Sequence, residues 1–235
     1  LASGLSAVLG EKLSKRETSY IDYARMCATA YAADPELVEA AAVDLERFLK
    51  LDPAADGFLR IYLFFKGFHS VQCARVAHHY WEQPGGGGRW LASALQSEMS
   101  DMFGVDIHPA SKWGRGITMD HGTGCVIGET AVIGDNVYLM HDVTLGSTGT
   151  GTGHDRHPKI GRGVFLAAKC TVLGNIEVGA GAIVGAQALV NKPVPPGYTA
   201  VGSPAKMLPP NSKPKTAPSG AAMPPDENFA FGGAI

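Results

Sequence analysis

No apolar run in these 235 residues is long enough to span a bilayer, and charge of either sign is not in excess: 20 Lys and Arg stand against 22 Asp and Glu, a formal −2. Neither a membrane nor a nucleic acid is therefore an expected partner. Cysteine is scarce as well. Cys27, Cys73, Cys125 and Cys170 lie about fifty residues apart with no CxxC pair, which argues against a zinc knuckle and a disulfide framework and leaves buried thiols suited to a reducing compartment. No GxxxxGK or Rossmann glycine pattern occurs, so a nucleotide-bearing ligand has to be held in another way. The first residue is Leu1 rather than Met, so a targeting peptide would lie outside this sequence; the expected location is the cytoplasm, or an organelle stroma if such a peptide has been removed.

What the chain does have is a period of six. Ile160, Leu166, Val172, Val178, Val184 and Val190 recur six apart, with Gly161, Ala167, Gly179 and Gly185 directly behind four of them. Ile127, Ile133, Leu139 and Leu145 form an earlier run, and Ile107, Trp113 and Met119 another, with a two-residue shift between runs and an insertion after Leu145. A hexad is too short for a helix plus a connection but suits a short strand and a turn, the signature of a parallel β-helix. Three hexads make one triangular coil, and the aliphatics stack inside it. Each coil closes its neighbour's core, so ordering the chain is offset only when several coils are present; thirteen hexads give roughly four.

The first 104 residues read as helical. Asp34-Pro35-Glu36 supplies an N-cap, a first-turn proline and an acidic first turn, and Asp52-Pro53 repeats that signal. An apolar stretch from Ile61 to Trp81 follows, and Pro84 with Gly85 to Gly88 breaks it before an amphipathic segment from Trp90 to Met102. Beyond Met207 the sequence turns Pro-, Lys- and Ser-rich and cannot bury enough surface to fold alone. The expected architecture is α+β: an all-helical domain over 1–104, a β-helix over 105–207 and a flexible tail over 208–235.

Three segments set a charged or imidazole group beside a repeat position: Val105 to Pro109, Met119 to Gly124 and Asp155 to Pro158. The strings VDIHPAS, MDHGTGCVIGETAVIGDN, HDVTLGSTG, DRHPKIG, VLGNIEVGAGA and VPPGYTAVGSPA, in that order, closely resemble the serine O-acetyltransferases, from about Tyr31 to Lys206. The resemblance implies a left-handed β-helix, acetyl transfer from acetyl-CoA to L-serine in cysteine biosynthesis, no metal, and trimers often paired into hexamers. The helical part here is shorter than the family's usual one, which bears on the pairing.

Such a transfer needs the serine hydroxyl deprotonated as it attacks, and a histidine oriented by a carboxylate suits that task. His121 is the expected base and Asp106 its orienter; their fifteen-residue separation is close to one coil, and the resemblance gives these positions the same roles. A histidine that only hydrogen-bonds in a turn is the plainer alternative. A zwitterionic substrate also needs a cation for its carboxylate and anions for its ammonium. The resemblance assigns Arg156 and His157 to the first and Asp120 and Asp52 to the second, although Asp52 before a proline is commonly just a helix cap. Asp56, His69, His78 and His79 read as surface or packing residues.

For coenzyme A the resemblance implies a groove between neighbouring subunits, with small residues at Ser147, Thr148, Ala168 and Ala186. Ser147 stands where the family commonly has glycine, and Leu166 to Cys170 replaces a more glycine-rich stretch. The Gly- and Thr-rich insertion from Ser147 to His154 reads as a mobile loop suited to close over substrates. The terminal Ile235 resembles the isoleucine with which family members enter O-acetylserine sulfhydrylase, but no acidic residue precedes it here. L-Cysteine is an expected feedback inhibitor at the serine site. No nucleophile accompanies the motifs, since Cys125 and Cys170 fall at packing positions, so transfer is expected to be direct. Another hexapeptide acyltransferase, a β-helical carbonic anhydrase with three zinc-binding histidines and a non-catalytic trimeric scaffold presenting Ile235 are the competing readings.

Overall fold

The computed structural model describes residues 1–14, 21–52, 54–149 and 154–210. Six helices come first: α1 Ala2–Leu13, α2 Tyr23–Ala33, α3 Pro35–Leu51, α4 Phe58–Phe64, α5 Lys66–Trp81 and α6 Gly87–Phe103. Asp34 caps α3 as its sequence suggests, accepting the Glu36 N–H at 3.1 Å, with Pro35 in the first turn. Asp52 does the opposite of what Asp-Pro suggested. It ends α3, and its carboxylate accepts the Ala54 N–H at 2.8 Å, a local turn that competes with helix initiation, so α4 begins only at Phe58. The apolar run from Ile61 to Trp81 is likewise two helices, broken at Phe65, whose backbone is extended. Gly85 and Gly86, both at positive φ, turn the chain from α5 into α6. No helix is long and apolar enough to cross a membrane among the described residues.

From Asp106 the chain winds through two- and three-residue strands that stack into three sheets. Sheet A joins β1 (Asp106–Ile107), β4 (Val126–Ile127), β7 (Thr144–Gly146), β10 (Thr171–Leu173) and β13 (Leu189–Val190). Sheet B joins β2 (Lys112–Trp113), β5 (Val132–Ile133), β8 (Lys159–Ile160) and β11 (Glu177–Val178). Sheet C joins β3 (Thr118–Met119), β6 (Tyr138–Leu139), β9 (Phe165–Leu166), β12 (Ile183–Val184), β14 (Thr199–Val201) and β15 (Lys206–Leu208). All pairings are parallel except β14 with β15, a hairpin that covers the last coil's open edge.

Register explains the repeat. Ile107, Ile127, Leu145, Val172 and Val190 stack in sheet A, and Met119, Leu139, Leu166, Val184 and Ala200 occupy the equivalent row in sheet C, all buried. Leu145 and Val172 are partners although an extra stretch separates them, so the insertion after Leu145 leaves the prism at a corner without shifting the stack.

A buried polar cluster fixes the helices to the first coil. Asp44 on α3 and Arg75 on α5 are ion-paired with side chains 0% and 6% exposed, and Gln72 donates to Asp44 at 2.9 Å. The same pair reaches the β-helix: Asp44 accepts the Ile117 N–H at 2.8 Å and Arg75 donates to the Gly114 carbonyl at 2.6 Å. Gly67 brings α5 against β3 so closely that a Cβ there would lie 1.9 Å from the Met119 carbonyl oxygen.

Candidate active site

The chemistry-bearing residues lie on two different edges of the prism. Where the chain passes from sheet C to sheet A, each turn holds one non-glycine residue in the left-handed region: His121, Asp142, Lys169 and Gln187, at φ 58°, 56°, 62° and 59°. Backbone bonds stack these turns, from Asp142 N–H to the Thr123 carbonyl, Lys169 to His141 and Gln187 to Ala168. His121, His141, Ala168 and Ala186 therefore share one edge, with Ala168 half-buried and Ala186 exposed.

His121 has Asp120 beside it, Nε2 to Oδ1 3.6 Å, and meets His141 edge-on with centroids 5.8 Å apart. Its side chain is 62% exposed, whereas that of Asp120 is 18% exposed. Burial pushes the Asp120 carboxyl above its ordinary range and the facing charge of Asp52 adds to this; His121, a Tyr138 hydroxyl hydrogen bond and His141 act in the other direction. Asp52, Asp120 and His121 are thus brought together. Asp106 is not in contact with His121. It sits on β1 opposite Val126, five residues beyond His121, because the first coil is longer than a regular one, and its Oδ1 accepts from Gln96 Nε2 at 2.8 Å.

The second edge, from sheet A to sheet B, carries Arg156 and His157. Arg156 donates to Glu129 at 2.7 Å. Burial raises the Glu129 carboxyl, but the hydrogen bond and charge of Arg156 more than offset that and hold it below its usual value. His157 is buried, its Nδ1 receiving the Thr130 N–H at 3.1 Å and lying 2.9 Å from the Thr130 hydroxyl. Burial lowers its pKa and the Arg156 charge lowers it further. Lys159 ties the segment down through the Thr130 and His157 carbonyls, both at 2.8 Å, and Asp155 at 2.6 Å. Ser147 and Thr148 leave sheet A at this edge, half-buried and exposed. Half of the proposed lid, residues 150–153, and the tail with Ile235 lie outside the described residues.

Glu129, Thr130 and Tyr138 were missed in reading the sequence. The first two stand in the GET of the quoted GETAVIG string, so a signal existed, while nothing in the sequence ties Tyr138 to Asp120. All four cysteines are buried and free, and burial pushes the thiols up, Cys27 and Cys170 to about 12 and Cys125 to about 11. They are packing residues rather than nucleophiles. Among the described residues no group of three His, Cys, Asp or Glu is placed to hold a metal, and His121 and His157 are on separate edges.

Stacked hexapeptide coils, an exposed imidazole with paired carboxylates and no reactive thiol define an acyltransferase of the hexapeptide class. Residues 1–73 match the family described as "Serine acetyltransferase, N-terminal", and 157–192 match "Bacterial transferase hexapeptide (six repeats)". The chain is 49% identical to the serine acetyltransferase of Escherichia coli K12 over 208 residues, 88% of this chain and 75% of that one. A soybean serine acetyltransferase solved with serine superposes with a TM-score of 0.83 at 47% identity, covering 88% of this chain and 84% of that one. One from Brucella abortus with coenzyme A gives 0.85 at 39%, covering 90% and 83%. The chain belongs to the serine acetyltransferase family, and its coils form the left-handed parallel β-helix of that fold.

Proposed function

We propose that this chain transfers the acetyl group of acetyl-CoA to the hydroxyl of L-serine, giving O-acetyl-L-serine at the committed step of cysteine biosynthesis. The observation that carries the reading is the pairing of His121 with Asp120 on one edge, with the charge of Asp52 at the end of α3 acting on Asp120, in a chain of this family. His121 accepts the hydroxyl proton as the serine oxygen attacks the thioester carbonyl. The C–O bond forms, the C–S bond breaks, and the imidazolium returns its proton to the departing thiolate. Asp120 and Asp52 face the ammonium; Arg156 and His157 face the carboxylate. Asp106 orients the His121 ring, for which it exchanges the Gln96 amide for a ring N–H. Raised thiol pKa values support direct transfer without an acyl-enzyme.

The pantetheine arm runs past Ala168 and Ala186, whose small side chains leave the edge open, with Ser147 and Thr148 supplied from the other edge. Sheet A separates the two edges. Six residues at about 3.3 Å each cover up to roughly 20 Å, far beyond the length of a serine, so the second edge of each site comes from a neighbouring copy. A head-to-tail arrangement that closes as a homotrimer meets this need, and pairing through the helical half gives a dimer of trimers. L-Cysteine differs from serine only in its thiol and occupies the same site as an inhibitor. Ile235 docks by its carboxylate into O-acetylserine sulfhydrylase. Buried, unpaired thiols suit the cytoplasm or an organelle stroma.

Thiol release from acetyl-CoA, measured with and without L-serine, tests the reading. Release is expected to require serine, to be suppressed by millimolar cysteine, and to fall about 10²- to 10⁴-fold in His121→Ala; serine-independent release, or a fully active variant, contradicts it. A peptide of the last ten residues is expected to bind the sulfhydrylase, and lack of binding beside a working control removes that partner.

A further inference from the structure

The hydrogen bonds around His157 leave its protonation state no freedom. A backbone N–H can only donate, so the Thr130 amide 3.1 Å from Nδ1 requires a lone pair there. The Thr130 hydroxyl oxygen accepts two further backbone bonds, from Arg156 N–H at 3.0 Å and His157 N–H at 3.1 Å. Its own proton is shared between Nδ1, 2.9 Å away, and the Asp155 carboxylate. The backbone donor alone therefore places the lone pair on Nδ1, and the ring proton must be on Nε2. His157 is 6% exposed, and burial together with the charges of Arg156, Lys159 and His108 outweighs that of Glu129, so a second proton is disfavoured.

The other side of the ring is equally defined. It lies flat against Gly128, where a Cβ would fall 2.0 Å from Cδ2 and 2.1 Å from Nε2. Any side chain at 128 would displace the Nε2 edge. That nitrogen makes no hydrogen bond among the described residues and is not among the buried atoms lacking a partner, so it is an open donor, within reach of the Arg156 charge.

We propose that His157 binds substrate as a neutral imidazole donating Nε2–H to the serine carboxylate, with Thr130 and Gly128 as positioning residues that fix its tautomer and its place. This deepens the assignment of Arg156 and His157 to the carboxylate and rests on it. Arg156 supplies the full positive charge, and His157 adds a directional bond without a second cation, which leaves the neighbouring ammonium unrepelled.

The test uses the full chain labelled with 15N-histidine, the His157 signals being identified by their loss in His157→Gln. Two-bond 15N–1H spectra at neutral pH are expected to show the Nε2–H tautomer. Thr130→Val, which removes the hydroxyl that holds the Arg156 and His157 backbone but keeps the backbone N–H on Nδ1, is expected to retain the Nε2–H tautomer and to raise KM for serine about tenfold, the scale of one lost hydrogen bond, with KM for acetyl-CoA unchanged. Thr130→Ser restores KM. An Nδ1–H or doubly protonated ring in the native protein, or a Thr130→Val variant with native KM for serine, overturns the proposal. A His157→Gln variant with native KM for serine removes the carboxylate assignment itself, and the proposal with it; a raised KM alongside an Nδ1–H spectrum sinks the tautomer alone.

Discussion

Asp120 is under two opposing demands. To hold an ammonium it must be ionised, yet burial and the facing Asp52 both favour the protonated acid, against His121, Tyr138 and His141. A carboxyl whose folded pKa is raised binds more protons folded than unfolded, so it lowers stability as pH rises from the ordinary carboxylate range through its own raised value. Asp120→Asn is therefore expected to raise the urea midpoint at neutral pH and to leave it unchanged in strong acid, while KM for serine rises steeply. A neutral-pH midpoint below the native one contradicts this account of Asp120. Its companions His121, Arg156 and His157 were legible in the sequence, because each is a titratable or charged group beside a hexad position. Thr130 stands in a quoted motif, but its contact with His157 was not legible, because the insertion after Leu145 separates the two in sequence. Tyr138 meets Asp120 only through the pairing of β3 with β6.

The elements differ in how openly the sequence states them. Nearly every hexad puts one aliphatic inward, so the period of six transmits the β-helix without tertiary information, and the insertion changes only a corner. Helix boundaries depend on contacts that are not periodic. Asp52 ends a helix because Ala54 offers its N–H, and Phe65 separates α4 from α5 within one apolar run. The attachment of helices to coils is also hidden, since Asp44, Gln72 and Arg75 look like ordinary polar helix residues. Asp44 and Arg75 are buried together and each bonds to the first coil. Removing the carboxylate leaves a buried guanidinium without its counter-charge, which costs about 3–5 kcal/mol. Asp44→Ala is expected to lower the unfolding free energy by that amount in a denaturant titration; a loss of less than about 1 kcal/mol would put the attachment elsewhere.

For the whole molecule the question is how two edges on opposite sides of sheet A serve one substrate. The chain places His121, Asp120 and Asp52 at one edge and Arg156, His157, Ser147 and Thr148 at the other. A closed ring of copies brings the first edge of each against the second edge of the next, so every site draws on two chains. His121→Ala and Arg156→Ala each impair one edge only. The most direct measurement is serine-dependent thiol release from hybrids made by co-assembling these two variants in equal amounts. If sites are shared, about a quarter of the edge pairs carry both residues intact, and activity returns to roughly that fraction of the native rate although each variant alone is nearly inactive. Hybrids no more active than the two parents, with mixing verified, would contradict the account and require both edges of a site to belong to one chain.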